Sequence, residues 1–324
     1  MRAPVHYLNN TVEAMMQRSI KTSIHCTGIG VHSGRKTSLR LVPAPINSGI
    51  RFVRTDVTDR DNVIPASWDR VTETQLCTVI SNDDDVTVST VEHVMAALRG
   101  CSIDNVVVEL DGPEVPIMDG SAEPFVFLIE CAGIEAQSAP RQMLKVLKEV
   151  VIEEEGKFAK LLPDDTQSFG FDIDFAPRLD VQQRYELTVS PASFKRHICR
   201  ARTFGFLEDV DKLRAMGLAR GGSLDNAVVI SGEKILNKGG LRFGDELVRH
   251  KVLDAIGDLY LAGAPILGRY EGYRAGHALN NQLLRAVFAD PEAYVLTSAA
   301  DAGLSAVLTA DSGSWQDAPL ARTA

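Results

Sequence analysis

The stretch Val248-Arg249-His250-Lys251-Val252-Leu253-Asp254-Ala255-Ile256-Gly257-Asp258 restricts this chain more than any other. It has the period of a helix, and Val248, Val252, Ile256, Leu259 and Tyr260 form a broad apolar stripe with Arg249 as the main interruption. A helix apolar over most of its girth belongs in an interior, yet this one carries five ionisable groups. At about 100° per residue, His250, Asp254 and Asp258 fall within roughly 80° of one face. Charged groups on a buried face need a partner or a metal, because uncompensated burial is costly. The ordinary alternative is a solvated edge with an i,i+4 ion pair.

The rest of the chain narrows the choices. Its 324 residues suffice for a large core and suggest about two domains. A formal net charge of −9 argues against a nucleic-acid partner but leaves room for a small anionic ligand held by local cations. Cys26, Cys77, Cys101, Cys131 and Cys199 are odd in number, scattered and never in a Cys-x-x-Cys pair. They suggest neither a disulfide framework nor a thiolate zinc site, and fit a reducing compartment. No apolar run approaches about 18 residues, and Asn9, Asn10, Glu13, Gln17 and Arg18 break up any signal-peptide core. A cytoplasmic protein is expected.

Short alternating segments punctuated by Pro43, Pro45 and Gly49 read as strands and turns. Helices are expected at about 89–99, 122–132, 207–216, 245–262 and 277–289. Each half then closes as strands, helix, strand, helix, without residue identity between the halves that would make a sequence repeat. The pattern lapses around residues 135–142, an expected boundary. Gly28-Ile29-Gly30-Val31-His32-Ser33-Gly34 approaches a dinucleotide fingerprint, but it lacks the last glycine and no helix follows.

The chain contains seven histidines, and three have suggestive neighbours: Glu92-His93 in the first turn of one helix, His250 on the face of Asp254, and His277 at the start of another helix. A hydrolytic zinc site needs three N/O ligands and an open position, which His93, His250 and Asp254 would supply. Glu92 would take the proton from attacking water, His277 would protonate a leaving group, and Asp258 would hold His277 charged. Singly, each residue has an ordinary structural role: Ser89-x-x-Glu92 is a good capping box, and His250–Asp254 an ion pair. Their joint occurrence on helices otherwise made of Val, Leu, Ile and Ala favours the metal. No His-Glu-x-x-His, Gly-x-Ser-x-Gly, Walker loop or deaminase Pro-Cys-x-x-Cys competes.

Five stretches together resemble the motifs of one family. They are Ser89-Thr90-Val91-Glu92-His93, Pro116-Ile117-Met118-Asp119-Gly120-Ser121, Arg200-Ala201-Arg202-Thr203-Phe204-Gly205-Phe206, Arg249 to Leu259, and Gly276-His277-Ala278-Leu279-Asn280-Asn281. The family is the zinc-dependent UDP-3-O-acyl-N-acetylglucosamine deacetylases of lipid A synthesis, and the likeness spans roughly residues 18–300. It implies an α+β fold of two domains with similar topology, layered sheets with helices sandwiched between them, and the site at the domain interface. It implies His93, His250 and Asp254 as ligands of one Zn²⁺, with Fe²⁺ the alternative ion. Glu92 would be the base, His277 the acid and Asp258 its support, with Lys251 a nearby cation and Thr203 polarising the carbonyl. An inserted βαβ element near 204–230 would form an acyl passage, with Leu76, Cys77, Phe204, Leu218, Ala219, Ala227 and Val229 as expected lining. The expected division is a 1–17 extension, domains 18–138 and 139–304, and a flexible 305–324 tail. The expected partner is a UDP-sugar bearing a 3-O-acyl chain, bound by a monomer with no nucleic acid and no integral membrane segment; Arg202, Lys238 or Arg242 would meet its phosphates. The alternatives are a zinc amidohydrolase for another N-acyl substrate and a sugar-nucleotide or lipid-binding module with structural zinc.

Overall fold

The computed structural model describes residues 15–302. The expected tail, and all but the last three residues of the expected N-terminal extension, lie outside them. Among the described residues there are six α-helices: α1 (Glu92–Gly100), α2 (Glu123–Ala132), α3 (Pro191–His197), α4 (Val210–Ala215), α5 (Glu246–Tyr260) and α6 (His277–Ala289).

Two sheets repeat one topology. In the first, Ile24–Ile29, Lys36–Pro43, Val106–Leu110, Ile50–Arg54 and Val63–Pro65 lie in that order, and only the Val106–Leu110/Ile50–Arg54 pair is parallel. In the second, Val150–Glu154, Lys157–Leu162, Ile266–Tyr273, Gln167–Asp174 and Gln182–Thr188 repeat both the order and the directions. The central strand of each follows a buried helix, α1 or α5, and leads into a second helix, α2 or α6. An antiparallel pair accompanies each half: Met16–Ile20 with Ile134–Pro140 forms a separate ribbon, and Gln142–Val146 with Tyr294–Ser298 joins the second sheet through a short parallel pairing with Ile266–Tyr273. The strand–helix–strand–helix rhythm read from each half is thus a repeated fold.

The residues explain the layers. Val106–Leu110 alternates buried and half-buried positions, as a strand covered on one face should. Helix α2 lies on the first sheet, α5 and α6 on the second, and α1 packs against both α2 and α5. All nine residues of α1 are buried. At the α1/α5 crossing, a Cβ on Gly257 would stand 2.0 Å from the Glu92 carbonyl oxygen, so only glycine lets these backbones approach. One buried apolar cluster, from Ile20 to Val287, runs through both halves.

Three local expectations change. The lapse around 135–142 contains the strand Ile134–Pro140, whose small and polar residues still pair through their backbone with Met16–Ile20. The segment 144–153, which reads as one strand in the sequence, is two: Gln142–Val146 and Val150–Glu154. Helix α3 has no counterpart among the expected helices; it is too short to show a period and is started by a Ser190/Ser193 capping box.

Candidate active site and metal centre

Glu92 and His93 enter the interior because of how α1 begins. Among the described residues no side chain caps this helix: Ser89 Oγ donates to the Pro113 carbonyl at 3.2 Å, which removes the capping-box role considered for Glu92. The turn before it holds Thr90 at φ 59°, an uncommon conformation for a β-branched residue, and Thr90 Oγ1 donates to the buried Glu114 carboxylate at 3.1 Å. Glu92 Oε2 instead accepts the Thr78 N–H at 3.0 Å. Glu114 also accepts the N–H groups of His32 and Ser33 at 2.8 Å each, so the glycine-rich stretch at 28–34 wraps a buried carboxylate.

Helix α5 supplies the other wall. Ligand atoms of His93, His250 and Asp254 all lie within 4.8 Å of one another, and all three residues are buried. Nε2 of His250 and of His93 stand 3.3 and 3.7 Å from Asp254 Oδ1. His250 donates Nδ1–H to the Ala201 carbonyl at 3.1 Å, which orients the ring and leaves Nε2 for the centre. His93 Nδ1 has no hydrogen-bond partner among the described residues.

The donor chemistry suits a divalent ion. Burial, reinforced by His250, pushes His93 down to about 3, and burial also lowers His250, so both imidazoles offer lone pairs at neutral pH. Burial opposes ionisation of Asp254, but His250 and Lys251 outweigh it and hold the carboxyl well below its usual range. Two neutral imidazoles and one carboxylate make a three-ligand N/O set with room for a fourth position.

Two further buried ionisable groups, Glu92 and His277, sit around this set. Burial pushes Glu92 up to about 7; His277 opposes the rise, while Asp258 and Asp254 add to it. Burial disfavours a charged His277, yet Asp258 prevails through its charge and hydrogen bond, with Glu92 adding, and raises it to about 9. His277 Nδ1–H donates to Asp258 Oδ2 at 2.8 Å. At neutral pH the histidine carries a proton to give, and the glutamate can accept one.

Thr203 is half-buried; its N–H donates to the Gly120 carbonyl at 2.7 Å and its C=O accepts from Val228 at 2.8 Å. Gly120, at φ 87°, passes so close to Asn226 that a Cβ would stand 2.2 Å from its carbonyl oxygen. Phe204 packs edge-on against His250, with ring centroids 6.1 Å apart. Lys251 Nζ is 2.5 Å from Asp254 Oδ2 and 5.8 Å from the Phe204 ring centroid, so this cation is engaged with a candidate ligand.

Phe204–Phe206 runs parallel to Val228–Ser231 with α4 between them, a strand–helix–strand unit. Ala227 and Val229 are half-buried there; so are Leu218 and Ala219, and the Ala219 N–H reaches His32 Nδ1 at 3.4 Å. Leu76 is exposed at φ 65°, and Cys77 is buried beside Thr78.

Two of the three cations considered for phosphate are engaged elsewhere. Arg202 donates through Nε and Nη2 to the fully buried Glu246 at 2.8 and 3.0 Å, and Arg242 Nη2 meets Asp119 at 2.8 Å. Lys238 is exposed. Arg249, given no task by the sequence, bonds Asp245, Tyr185 and the His197 carbonyl and stacks on Tyr185 and Phe243. Sequence reasoning missed Thr78 and Tyr270 altogether and gave Asn280 no role, although Asn280 follows His277 at i+3 on the same helix face.

Two neutral imidazoles, a carboxylate, a buried glutamate and a charged histidine are the equipment of a metal-dependent amide hydrolase. Residues 17–289 match the family model described as LpxC: UDP-3-O-acyl N-acetylglycosamine deacetylase. The chain is 49% identical over 286 residues to the UDP-3-O-acyl-N-acetylglucosamine deacetylase of Shewanella oneidensis, covering 88% of this chain and 93% of that protein. Its identity to the protein of the same name from Photobacterium profundum is 52% over 280 residues, 86% of this chain and 92% of the relative. The chain belongs to the UDP-3-O-acyl-N-acetylglucosamine deacetylase family.

Proposed function

We infer that this protein hydrolyses the N-acetyl group of UDP-3-O-(3-hydroxyacyl)-N-acetylglucosamine, giving acetate and the free amine, the committed step of lipid A biosynthesis. The observation that carries this reading is the gathering of His93, His250 and Asp254 beside Glu92 and the His277–Asp258 pair, within a chain of the deacetylase family.

His93, His250 and Asp254 would hold a single Zn²⁺, with Fe²⁺ the alternative ion. Bound there, the ion supplies Lewis acidity at its open position, which activates water and polarises a carbonyl near neutral pH. Glu92 takes the proton from the attacking water. Thr203 steadies the charge that develops on the acetyl oxygen. His277, kept protonated by Asp258, delivers its proton to the sugar nitrogen as the amide C–N bond breaks, because an unprotonated amine leaves poorly. Lys251 holds Asp254 in place. Leu218, Ala219, Ala227 and Val229, with Phe204, Leu76 and Cys77, line the acyl passage in this reading, and exposed Lys238 is the phosphate contact. Units 18–138 and 139–304 contribute one helix each to the crossing, in a cytoplasmic monomer. No described helix is long and apolar enough to cross a membrane.

The test is acetate release from that substrate, abolished by a chelator and restored by zinc. A zinc-loaded protein that leaves the substrate intact but cleaves another N-acyl compound would overturn the substrate assignment.

A further inference from the structure

One residue touches both proton-transfer systems. Thr78 is buried just ahead of the strand Val79–Ser81. Its backbone N–H donates to Glu92 Oε2 at 3.0 Å, and its Oγ1–H donates to Asp258 Oδ1 at 2.6 Å. The second oxygen of Asp258 accepts His277 Nδ1–H and Asn280 Nδ2–H, each at 2.8 Å. Tyr270 donates its hydroxyl to Asn280 Oδ1 at 2.7 Å, which fixes which end of that amide faces Asp258. Three donors thus set the plane of the Asp258 carboxylate. Only Thr78 among them comes from the first half of the chain, the half that also carries Glu92.

We propose that Thr78 is a positioning residue for the hydrolysis: it ties the carboxylate behind the acid to the base, and so sets their separation across the reacting amide. The proposal rests on the assignment of Glu92 as base and His277 as acid. Its physical basis is that Glu92 stands on α1 and Asp258, which holds His277, on α5, two helices that meet backbone to backbone at Gly257. A small slide there moves donor relative to acceptor, and a misplacement of about 1 Å can cost on the order of a hundredfold in rate. Thr78 is the strut against that slide.

The competing role is a threonine that merely satisfies a buried carboxylate and affects stability alone. Thr78→Val removes the hydroxyl and keeps the volume and the N–H; Thr78→Ser keeps the hydroxyl. The valine variant is expected to lose about tenfold to a hundredfold in kcat, with KM and bound metal per chain unchanged, and the serine variant to recover to within about threefold. In an Asp258→Asn background, Thr78→Val is expected to add less than about twofold, because two residues acting as one unit are not additive. Wild-type kcat for Thr78→Val, equal losses for valine and serine, or full additivity with Asp258→Asn would each overturn the proposal. Thr78→Cys, similar in volume and a far weaker donor, repeats the test if the valine variant does not accumulate. Retained turnover in Glu92→Gln and His277→Gln would overturn the base–acid assignment and this proposal with it. Loss there, with Thr78→Val fully active, overturns the strut alone.

Discussion

Glu92 and His277 are both buried, and their neighbours push them toward opposite tasks. The carboxyl is raised to about 7 chiefly by burial, and the imidazole to about 9 because Asp258 outweighs burial. An ion at the three ligands would add positive charge beside Glu92 and draw its value down, making it a better populated base. Glu92→Gln is therefore expected to cost about 10²–10⁴-fold in kcat while bound metal stays near one per chain, read by turnover and metal analysis on one preparation. For His277 the sign runs the other way. The proposed acid is active while protonated, so the rate should fall as pH rises through the value of His277, about 9 without the ion and lower with the ion's charge beside it. Asp258 is the main group raising it, so Asp258→Asn should move that alkaline limb down by at least about one pH unit, each unit being 1.36 kcal/mol of lost interaction. An unmoved limb would mean that another group titrates there. His93, His250, Asp254 and His277 were legible as site candidates because charge on an apolar helix is visible in a sequence. Thr78 was not, since its role depends on contact with a residue 180 positions away.

At the scale of elements, α1 and α5 form the site by crossing closely, backbone to backbone at Gly257. A methyl at 257 would meet the Glu92 carbonyl oxygen at 2.0 Å, a backbone atom that cannot swing aside. Gly257→Ala is expected to destabilise the fold by about 3 kcal/mol or to force the helices apart. Denaturant unfolding and metal titration would separate these outcomes, and a variant with wild-type stability and affinity would refute the close-contact account. Both helices were readable from their period, and α6 begins at His277 as the sequence predicts. The strand Ile134–Pro140 was not readable, because its small and polar residues draw their order from backbone pairing with Met16–Ile20. The capping-box reading of Glu92 failed for a related reason. Ser89 has the right spacing, but Thr90 at φ 59° and the bond to Pro113 turn it away from the helix start.

For the whole molecule, the repeated strand order in the two sheets was legible only as a rhythm of elements; the shared core and the crossing needed three dimensions. Because the proposed ligands come from both halves, metal binding should stabilise the folded chain as a unit. At a metal concentration about 100 times Kd the gain is about 2.7 kcal/mol, so chelation should lower Tm in one cooperative step. Two separate transitions, only one of them metal-sensitive, would count against a shared core. The Thr78–Asp258 bond has a further meaning in time. Its partners lie 180 residues apart, and no shorter piece of chain contains both. Contacts of such separation close late, after each half has largely collapsed. A half-synthesised chain can fold its first sheet around Val106–Leu110 and still hold only one of the three proposed ligands. The ability to act on substrate therefore arrives last, as a certificate that synthesis and docking are both complete.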